Sequence, residues 1–307
     1  MRPPMTPPRP LAADGHTRRQ LLLGAATMLA AFGTPAASAA GVPDKIVAID
    51  WAAAETLLTL GLCPAGIADI RGFLASFGET AGPCSSADLG SPWEPNLELL
   101  DRMRPTVIYI SPWNALSQSV LSEIAPIRIS PVYDGTGQPL ERALVFARQM
   151  LADFPETAKA DVIAGLQQRL AAVGNHFGNG SQPQVLIVNL HGSGRFANVY
   201  GTTSMTGNVI AHLGLSNAWT EGTNGFGFAR IGIERLIDTA DASIIVVGQG
   251  EQTRRALQTV QRSAVWQAIP AVRQQRLFQS PPVSLFGGLA SATQFAEWVA
   301  RSLPRQG

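Results

Sequence analysis

The chain has 307 residues, of which 46% are hydrophobic and 15% charged, and its 22 prolines and 30 glycines follow no repeating period. That composition is typical of a globular protein and excludes collagen-like and disordered chains. Lys and Arg number 23 and Asp and Glu 22, so the formal net charge of +1 provides no basic excess for contacting a phosphate backbone. Nucleic-acid binding is therefore disfavoured, and the length predicts about two domains.

The N-terminus has the pattern of an export signal. The pair Arg18-Arg19 stands directly before the apolar run 21–32, and a stretch of small residues follows. The run is shorter than the roughly 20 residues that a permanent membrane-spanning helix needs. We therefore expect residues 1–39 to be a twin-arginine signal peptide, cleaved after Ala39 or the next residue, with a retained membrane anchor as the alternative. Its removal takes away four arginines and one aspartate, so the periplasmic product would carry a net charge of −2.

The two cysteines of the chain, Cys63 and Cys84, both lie in the part expected to be exported. An oxidising compartment permits a disulfide between them, and closing a loop of about 20 residues contributes about 3 kcal/mol to stability. The sequence leaves open whether they form this possible disulfide or remain two buried free thiols. A pair this sparse cannot form a zinc-finger framework.

Strands and helices alternate in the first part of the mature chain. The apolar segment 45–50 predicts a strand, and the helical spacing of 51–60, which ends before Gly61, predicts a helix after it. The same alternation continues with a strand at 65–70, a helix at 96–103, a strand at 106–111 and a helix at 116–124. Alternation of this kind builds a parallel sheet covered by helices.

Two long helical stretches, 139–154 and 155–177, then follow one another without a strand between them, and Pro155 suits the first turn of the second. The alternation resumes afterwards, with strands at 184–190, 243–247 and 277–279 and helices at 205–213, 233–237, 251–260 and 291–303.

The order of elements predicts an α/β protein of two Rossmann-like lobes, each a mainly parallel sheet flanked by helices. The N-terminal lobe is expected at 43–154, a single long linking helix at 155–177 and the C-terminal lobe at 183–305. Because a continuous helix resists bending, we expect the lobes to close only slightly when a ligand binds.

Eight segments of the mature chain carry a recognisable pattern in one order: 46–61, 88–100, Arg104-Pro105, 124–126, 214–219, 233–236, 266–270 and 286–287. They resemble the periplasmic iron-siderophore-binding proteins of ABC importers, most closely the ferrichrome (iron-hydroxamate) branch. The resemblance extends over residues 43 to 303.

This resemblance implies a solute-binding protein of the class III, helical-backbone fold, which holds its ligand between the lobes and delivers it to an inner-membrane ABC permease. It implies a ferric siderophore as ligand and a monomer, with no catalytic residue, no cofactor and no direct protein ligand to the metal. A ferric hydroxamate is bulky and has an apolar periphery, so its binding site needs an aromatic bowl and a few hydrogen-bond donors.

The first half of the family's ligand site is altered in this chain. Where the ferrichrome binder has its ligand-contacting arginine, this chain has Pro92, with Trp93 next to it. The family's tyrosine after the third strand corresponds to Asn114, beside Trp113. The resemblance therefore implies that Trp93, Trp113 and Asn114 contact the ligand.

The second half of the site keeps its aromatic character. The family's tryptophan in a Thr-Asn-x-x-Gly segment corresponds to Phe226, and its tryptophan and tyrosine near the last strand correspond to Ser284 and Phe286. We therefore expect these three residues at the ligand, with the tyrosine hydroxyl lost.

If the ligand's charge-bearing oxygens need a donor, another arginine has to replace the missing one. Arginine suits this role because its guanidinium offers several N–H groups in a planar fork. Arg71 follows the second predicted strand, and Arg230 follows an aromatic, glycine-rich segment, so both are candidate ligand contacts. The alternative for each is an ordinary exposed arginine. Core packing is the corresponding alternative for the aromatic residues, but their position in loops after strands favours the cleft.

Two glutamates, Glu98 and Glu234, resemble the pair with which this family meets arginines on its permease. The resemblance implies that both dock, one from each lobe. An exposed helix face is the alternative for each, and Glu94 is a possible substitute for Glu98.

Other functions are less well supported. The segment 191–194 lacks the Gly-x-Ser-x-Gly elbow of a hydrolase, and three scattered histidines without a His-rich loop disfavour a site for bare zinc or manganese. A haem or corrinoid ligand is the main alternative, with Tyr109, Tyr133 and Tyr200 as the only tyrosines that could ligate haem iron. A sensory binding protein without a transporter is the second alternative, favoured by the loss of arginine at Pro92.

Overall fold

A computed structural model of the chain describes residues 45–77, 84–155, 158–178, 184–239, 241–248 and 250–304, with the backbone alone at 115–117. The predicted signal peptide, 1–39, lies outside the described residues. No helix within these described ranges is long and apolar enough to cross a membrane.

The first lobe is built on a parallel sheet. Its strands are β1 (Ile46–Ala48), β2 (Gly66–Ile67), β3 (Ala87–Asp88), β4 (Gly90–Ser91), β5 (Glu94–Pro95), β6 (Val107–Ile110) and β7 (Ile127–Ile129). Its helices are α1 (Trp51–Thr59), α2 (Ile70–Phe77), α3 (Leu97–Met103) and α4 (Ala115–Ile124). The parallel sheet has the order β3-β2-β1-β6-β7, and β4 and β5 form a separate antiparallel hairpin. The strand expected over 65–70 is therefore shorter, because α2 already begins at Ile70.

Two helices follow the first lobe, α5 (Pro139–Asp153) and α6 (Ala160–Val173). The single linking helix expected over 155–177 is therefore shorter, and the chain passes from the first lobe to the second through both α5 and α6. Proline disfavours the helical conformation of the residue before it. Phe154, at φ −131° and ψ 57°, accordingly ends α5 just before Pro155.

The second lobe combines parallel and antiparallel pairing. Its strands are β8 (Gln184–Leu190), β9 (Phe196–Tyr200), β10 (Ser216–Asn217), β11 (Phe228–Gly232), β12 (Ser243–Val246) and β13 (Leu277–Gln279). Its helices are α7 (Met205–His212), α8 (Gly250–Val260), α9 (Ala264–Ala268), α10 (Pro270–Arg273) and α11 (Leu289–Ser302), with a 3₁₀ turn at Ile233–Asp238. The sheet order is β11-β9-β8-β12-β13, with β10 beside β8. The antiparallel pair β9 and β11 was not expected from the sequence, because both strands are short and mix polar with apolar residues.

The two lobes share one hydrophobic core. It runs from the first lobe through α5, α6 and α11 into the second lobe and includes Leu57, Phe146, Leu166, Ile210 and Phe295. Two hydrogen bonds position α6 between the lobes. The N–H of Lys159 donates to the carbonyl of Leu60 at 2.9 Å, and the N–H of Asn175 donates to the carbonyl of His212 at 2.8 Å. A change of lobe angle therefore has to move packed side chains as well as bend a helix.

Candidate ligand-binding site

A cavity of about 900 Å³ lies between the lobes at the carboxyl ends of their parallel strands. Open α/β sheets bind ligands at this edge because the loops after the strands meet there. The first lobe contributes residues after β1, β2, β3 and β6, and the second lobe contributes the ends of β8 and β12 and the loop after β13. The lining residues are Ile49, Asp50, Trp51, Asp69, Ser76, Asp88, Gly90, Ser91, Pro92, Trp93, Ser111, Trp113, Asn114, Tyr133, Asn189, Leu190, Asn198, Tyr200, Phe226, Phe228, Gly248, Gln252, Thr253, Val283, Leu285 and Phe286.

Aromatic rings from both lobes meet in this cavity. The ring centroids of Trp113 and Phe226, one from each lobe, are 4.7 Å apart. Phe286 lies 5.6 Å from Phe226, 6.2 Å from Phe228 and 5.9 Å from Tyr133. Offset and edge-to-face ring pairs stabilise a protein by more than the burial of their apolar area alone. The rings thus form a continuous apolar wall that joins the two lobes.

The indole of Trp113 is held in a defined position. Its Nε1 donates to the carbonyl of Tyr133 at 2.7 Å. On the opposite lobe, a Cβ atom at Gly225 would lie only 2.4 Å from the Cη2 atom of Trp113. Glycine at this position therefore allows the backbone of the second lobe to approach the indole closely.

The β4–β5 hairpin forms one edge of the cavity and carries Trp93, whose side chain is largely exposed (63%). Asn114 holds this hairpin in place, because its Nδ2 donates to the carbonyl of Pro92 at 2.7 Å. The Oδ1 of Asn114 accepts from the N–H and hydroxyl of Ser111 at 3.0 and 2.8 Å. Although Asn114 lines the cavity, these bonds favour a role in positioning the hairpin.

Amide side chains line the wall of the second lobe. Asn189 in β8 pairs with Asn198 in β9, and Asn198 pairs with Arg230 in β11. Residues opposite one another on antiparallel strands project from the same face, so these three side chains form a row across the sheet. The amide of Asn189 donates to the carbonyl of Val247 at 3.0 Å. Within the described residues, the amide of Asn198 makes no side-chain hydrogen bond.

Five of the eight residues proposed to bind the ligand line this cavity: Trp93, Trp113, Asn114, Phe226 and Phe286. Arg71, Arg230 and Ser284 do not. Arg71 is exposed in the first turn of α2. The guanidinium of Arg230 lies 5.2 Å from the ring centroid of Phe196, at the outer end of the amide row. Ser284 is buried, and its hydroxyl has no hydrogen-bond partner among the described residues.

Two of the three tyrosines named as candidate haem ligands line the cavity, Tyr133 and Tyr200, whereas Tyr109 is buried in β6. The hydroxyl of Tyr133 donates to the carbonyl of Gly287 at 2.7 Å. Burial raises the pKa of both cavity tyrosines above the ordinary phenol range, with the charges of Glu55 and Asp50 adding to the effect at Tyr133. The raised pKa makes deprotonation to a phenolate less favourable at these two tyrosines than at an ordinary one.

Carboxylates are the charged groups of the cavity. Asp50, Asp69 and Asp88 line it, and none of its described lining residues is a lysine, arginine or histidine. Asp50 is 8% exposed, and burial raises its pKa to about 6, while hydrogen bonds from the backbone N–H groups of α1 oppose the shift. Asp69 and Asp88 are exposed at the cavity edge.

A buried carboxylate supports the loop that carries Phe286. Glu55 in α1 accepts hydrogen bonds from the N–H groups of Gly288 and Ser291 at the start of α11. Burial raises the pKa of Glu55 to about 7, although these two hydrogen bonds favour the charged form. A residue of the first lobe thereby fixes the end of the aromatic loop of the second.

A disulfide joins Cys63 and Cys84, the alternative that the sequence left open. The bridge connects the segment before β2 to the segment before β3. It therefore closes the part of the chain that contains Asp69 and α2, next to the cavity.

The two glutamates expected to dock lie away from the cavity, one on each lobe. Glu98 is in the first turn of α3 and forms an exposed ion pair with Arg102 at 3.2 Å. Glu234 is exposed in the 3₁₀ turn that follows β11. Both side chains are accessible to a partner.

The sequence did not identify several lining residues: Asp50, Trp51, Asp69, Asp88, Asn189, Asn198 and Phe228. For Asp50 and Asn189 a signal was available, because both lie at the carboxyl ends of predicted strands, 45–50 and 184–190. Asp69 follows a strand that is shorter than expected, and Asp88, Asn198 and Phe228 lie in strands that were not expected. No group of three or more His, Cys, Asp or Glu residues in the described ranges is arranged to hold a metal ion.

Comparison with known proteins places this architecture in a family. The family model described as "Periplasmic binding protein" matches residues 46–283. The iron(3+)-hydroxamate-binding protein FhuD of Escherichia coli is 31% identical over 288 residues, which cover 91% of this chain and 94% of that protein. An achromobactin-binding periplasmic protein of Dickeya dadantii is 24% identical over 92% of this chain and 94% of its own.

A solved structure shows the same fold. The Fe³⁺-Desferal-bound siderophore-binding protein FhuD of Vibrio cholerae superposes with a TM-score of 0.74 at 23% identity, covering 85% of this chain and 98% of the other. The two lobes with mainly parallel sheets, predicted from the sequence, are thereby confirmed as the class III solute-binding fold. The chain belongs to the periplasmic binding protein family.

Proposed function

We propose that this protein captures a ferric hydroxamate siderophore in the cleft between its lobes and delivers it to an inner-membrane ABC permease for iron uptake. The observation that carries the proposal is the aromatic-lined cavity of about 900 Å³ at the strand ends of both lobes. The 31% identity to an iron(3+)-hydroxamate-binding protein supports the chemical class of the ligand.

The cavity has the properties that such a ligand requires. A ferric hydroxamate buries its charge in the iron centre and presents hydrocarbon at its periphery, so the rings of Trp113, Phe226 and Phe286 provide matching apolar contacts. The oxygens bound to iron are hydrogen-bond acceptors. Asn198 lines the cavity with a free amide, so it is a candidate donor to these oxygens. Arg230 pairs with Asn198 on the neighbouring strand and is a second candidate, although it does not line the cavity itself.

Transport requires a second interaction, with the permease. The exposed carboxylates of Glu98 and Glu234, one on each lobe, suit arginines on a membrane partner that contacts both lobes at once. In this role the protein binds and releases its cargo as a monomer, without a cofactor and without catalysing a reaction.

The proposed site of action is the periplasm. The arginine pair at Arg18-Arg19, the apolar run after it and the small residues that follow support export by the twin-arginine pathway. Replacing both arginines with lysine should retain the protein in the cytoplasm, whereas export despite this change would contradict the proposed pathway.

Tryptophan fluorescence of the mature protein tests the ligand class. Trp51, Trp93 and Trp113 line the cavity, so a ligand that absorbs light near them should quench emission in a saturable way. The titration compares ferrichrome and ferrioxamine with ferric catecholates, haem and cobalamin, and uses iron-free siderophores as controls. Trp113→Phe should reduce the quenching more than Trp298→Phe, since Trp298 lies in α11 outside the cavity.

Each result has a distinct meaning. Saturable quenching by ferric hydroxamates at micromolar or lower concentration supports the proposal. Quenching by haem or cobalamin alone retains a transport role but contradicts the hydroxamate ligand. No response to any compound contradicts the proposal and favours a sensory protein that has lost this ligand class.

A further inference from the structure

Side-chain donors of the first lobe at the cavity are largely engaged within the protein. The indole N–H groups of Trp51 and Trp113 donate to backbone carbonyls at 2.9 and 2.7 Å. The hydroxyl of Tyr133 does the same at 2.7 Å, and the amide of Asn114 donates to the carbonyl of Pro92. A ligand that needs hydrogen bonds therefore finds few free donors on this side of the cavity.

The second lobe, in contrast, buries a phenol whose hydroxyl is free. Tyr200 ends β9 and lines the cavity, and only 2% of the residue is exposed. Asn217 donates to its backbone carbonyl at 2.9 Å, but within the described ranges the hydroxyl itself has no hydrogen-bond partner. Burial raises the pKa of this phenol, which favours the protonated form that can donate. Since buried hydroxyls are normally hydrogen-bonded, this one points to a partner that enters the cavity.

A second donor lies on the same strand. Asn198 precedes Tyr200 by two residues, so both side chains project from the same face of β9, about 7 Å apart. The amide of Asn198 makes no side-chain hydrogen bond in the described part of the chain, as noted above. The ring of Tyr200 is held in place by Phe228, whose centroid lies 5.7 Å away. This spacing allows both residues to approach one octahedral metal complex.

A third free hydroxyl belongs to Thr253, in the first turn of α8. The residue lines the cavity and is 4% exposed, and its hydroxyl has no hydrogen-bond partner among the described residues. A Cβ atom at Gly248 would lie 2.5 Å from Oγ1 of Thr253 and 2.6 Å from Nδ2 of Asn189. Glycine at this position therefore lets both polar groups gather at the end of β12. We call Asn198, Tyr200 and Thr253 the donor set.

We propose that the iron-bound oxygens of the ligand accept hydrogen bonds from the donor set, so that the iron centre lies against the second lobe. The inference rests on the proposed function and adds the side of the cavity that holds the iron centre. Hydroxamate oxygens bound to iron carry no hydrogen and are acceptors only, whereas the donor set offers one N–H₂ group and two hydroxyls. The hydrocarbon periphery of the ligand then contacts the aromatic wall that joins the lobes.

The variant Tyr200→Phe tests this proposal most directly, because it removes one hydroxyl and keeps the ring. Dissociation constants are measured by fluorescence titration for ferrichrome and for ferrioxamine B, which share a ferric tris-hydroxamate centre and differ in their periphery. Tyr109→Phe is the matched control, since Tyr109 is also 2% exposed but lies in β6 and does not line the cavity. Thr253→Val is a second test variant, and Thr259→Val, on the exposed side of the same helix, is its control.

We expect Tyr200→Phe to raise both dissociation constants about tenfold, by factors that agree within about twofold, because the lost bond is to the part that the two siderophores share. Thr253→Val should raise both about fivefold, and both controls should bind like the wild type. The visible charge-transfer band of the bound ferric complex should shift in Tyr200→Phe toward its position in the free complex, because a hydrogen bond to an iron-bound oxygen is lost. Thermal unfolding checks that each variant is folded.

Three outcomes overturn the proposal and leave the proposed function intact: unchanged affinity in Tyr200→Phe, a loss confined to one of the two siderophores, and a charge-transfer band that does not move. Thr253→Val decides by the same criteria if Tyr200→Phe does not fold.

Failure of the wild type to bind either siderophore would overturn the proposed function itself. Haem binding that is lost in Tyr200→Phe, without hydroxamate binding, would instead assign the phenol as a direct ligand to haem iron. The failures are therefore distinguishable by what the wild type binds.

Discussion

The carboxylate of Glu55, in the first lobe, accepts a hydrogen bond at 2.5 Å from the backbone N–H of Ser291, 236 residues further along the chain. The Ser291 N–H belongs to the first turn of α11, where backbone donors have no partner within the helix. The bond joins α1 to α11, the first and last of the described helices, and the loop with Phe286 ends directly before α11. A buried acid thus connects the packing of the two lobes to the position of a cavity residue.

Glu55 should make stability depend on pH. Burial raises its pKa from about 4.5 when unfolded to about 7 when folded, so the folded state binds the proton more tightly. Its contribution to the free energy of unfolding is therefore present below about pH 4.5 and is lost as pH rises through about 7. Denaturant unfolding should show the difference between wild type and Glu55→Gln falling by up to about 3 kcal/mol from pH 5 to pH 8.

The control for this experiment is Glu123→Gln, since Glu123 is exposed on α4. Asp50 contributes a second, lower window, because burial raises its pKa from 3.8 to about 6. Glu55→Gln should therefore retain the part of the slope below about pH 6. A variant with the full wild-type slope up to pH 8 would show that Glu55 does not titrate in this range.

Removing the disulfide between Cys63 and Cys84 should destabilise the protein by about 3 kcal/mol, because the bridge restricts the unfolded chain across a separation of 21 residues. Denaturant unfolding of Cys63→Ser/Cys84→Ser measures the loss. A reducing agent should lower the stability of the wild type by a similar amount and leave the variant unchanged. Equal stability of wild type and variant would contradict this contribution.

Adding a methyl group at Gly225 should weaken ligand binding. The new Cβ atom would lie 2.4 Å from Cη2 of Trp113, so the indole or the loop has to move. Overpacking costs about 1–3 kcal/mol, which corresponds to a dissociation constant raised about fivefold to about 150-fold when the cost falls on the bound state. Fluorescence titration of Gly225→Ala with a ferric hydroxamate measures this change.

Gly222→Ala is the matched control, because a Cβ atom at Gly222 meets nothing within 4 Å. The control should bind like the wild type. If both alanine variants bind equally well, the contact between the lobes at Trp113 has no part in forming the site.

Substitution of Glu98 or Glu234 should reduce iron uptake by cells without weakening siderophore binding. Glu98→Ala and Glu234→Ala leave the cavity unchanged, so the dissociation constant for the siderophore should stay within about twofold of the wild type. Uptake of iron-loaded siderophore by cells should fall, and charge reversal to lysine should reduce it further because it repels the permease arginines. Glu123→Ala serves as the exposed control. Normal uptake by the double variant Glu98→Ala/Glu234→Ala would exclude both positions from docking.

Closure of the lobes on ligand binding should be small. The core through α5, α6 and α11 is continuous between the lobes, and close-packed interiors resist deformation. Small-angle X-ray scattering should show a change in radius of gyration below about 1 Å between the free and the ligand-saturated protein. A change of several ångströms would require this core to separate on binding.

The sequence by itself determined the α/β class and the two lobes. Apolar strands alternate with amphipathic helices, and both patterns are local properties of the chain. Trp93, Trp113, Phe226 and Phe286 were predicted to lie in the cleft from their resemblance to family positions and their place in loops near strands. The carboxyl end of every parallel strand lies at the edge of the sheet where ligands bind, so this placement does not depend on which strands are neighbours.

The tertiary structure decided which distant residues meet. The row of Asp50, Asp69 and Asp88 depends on the order β3-β2-β1, and the contact of Glu55 with Ser291 depends on how α11 packs against α1. Arg71 was placed in the cleft by its distance from a predicted strand, but that strand is short, so the arginine lies on α2 instead. Strand order, register and helix packing are set by the burial of the whole core, which local sequence patterns do not encode.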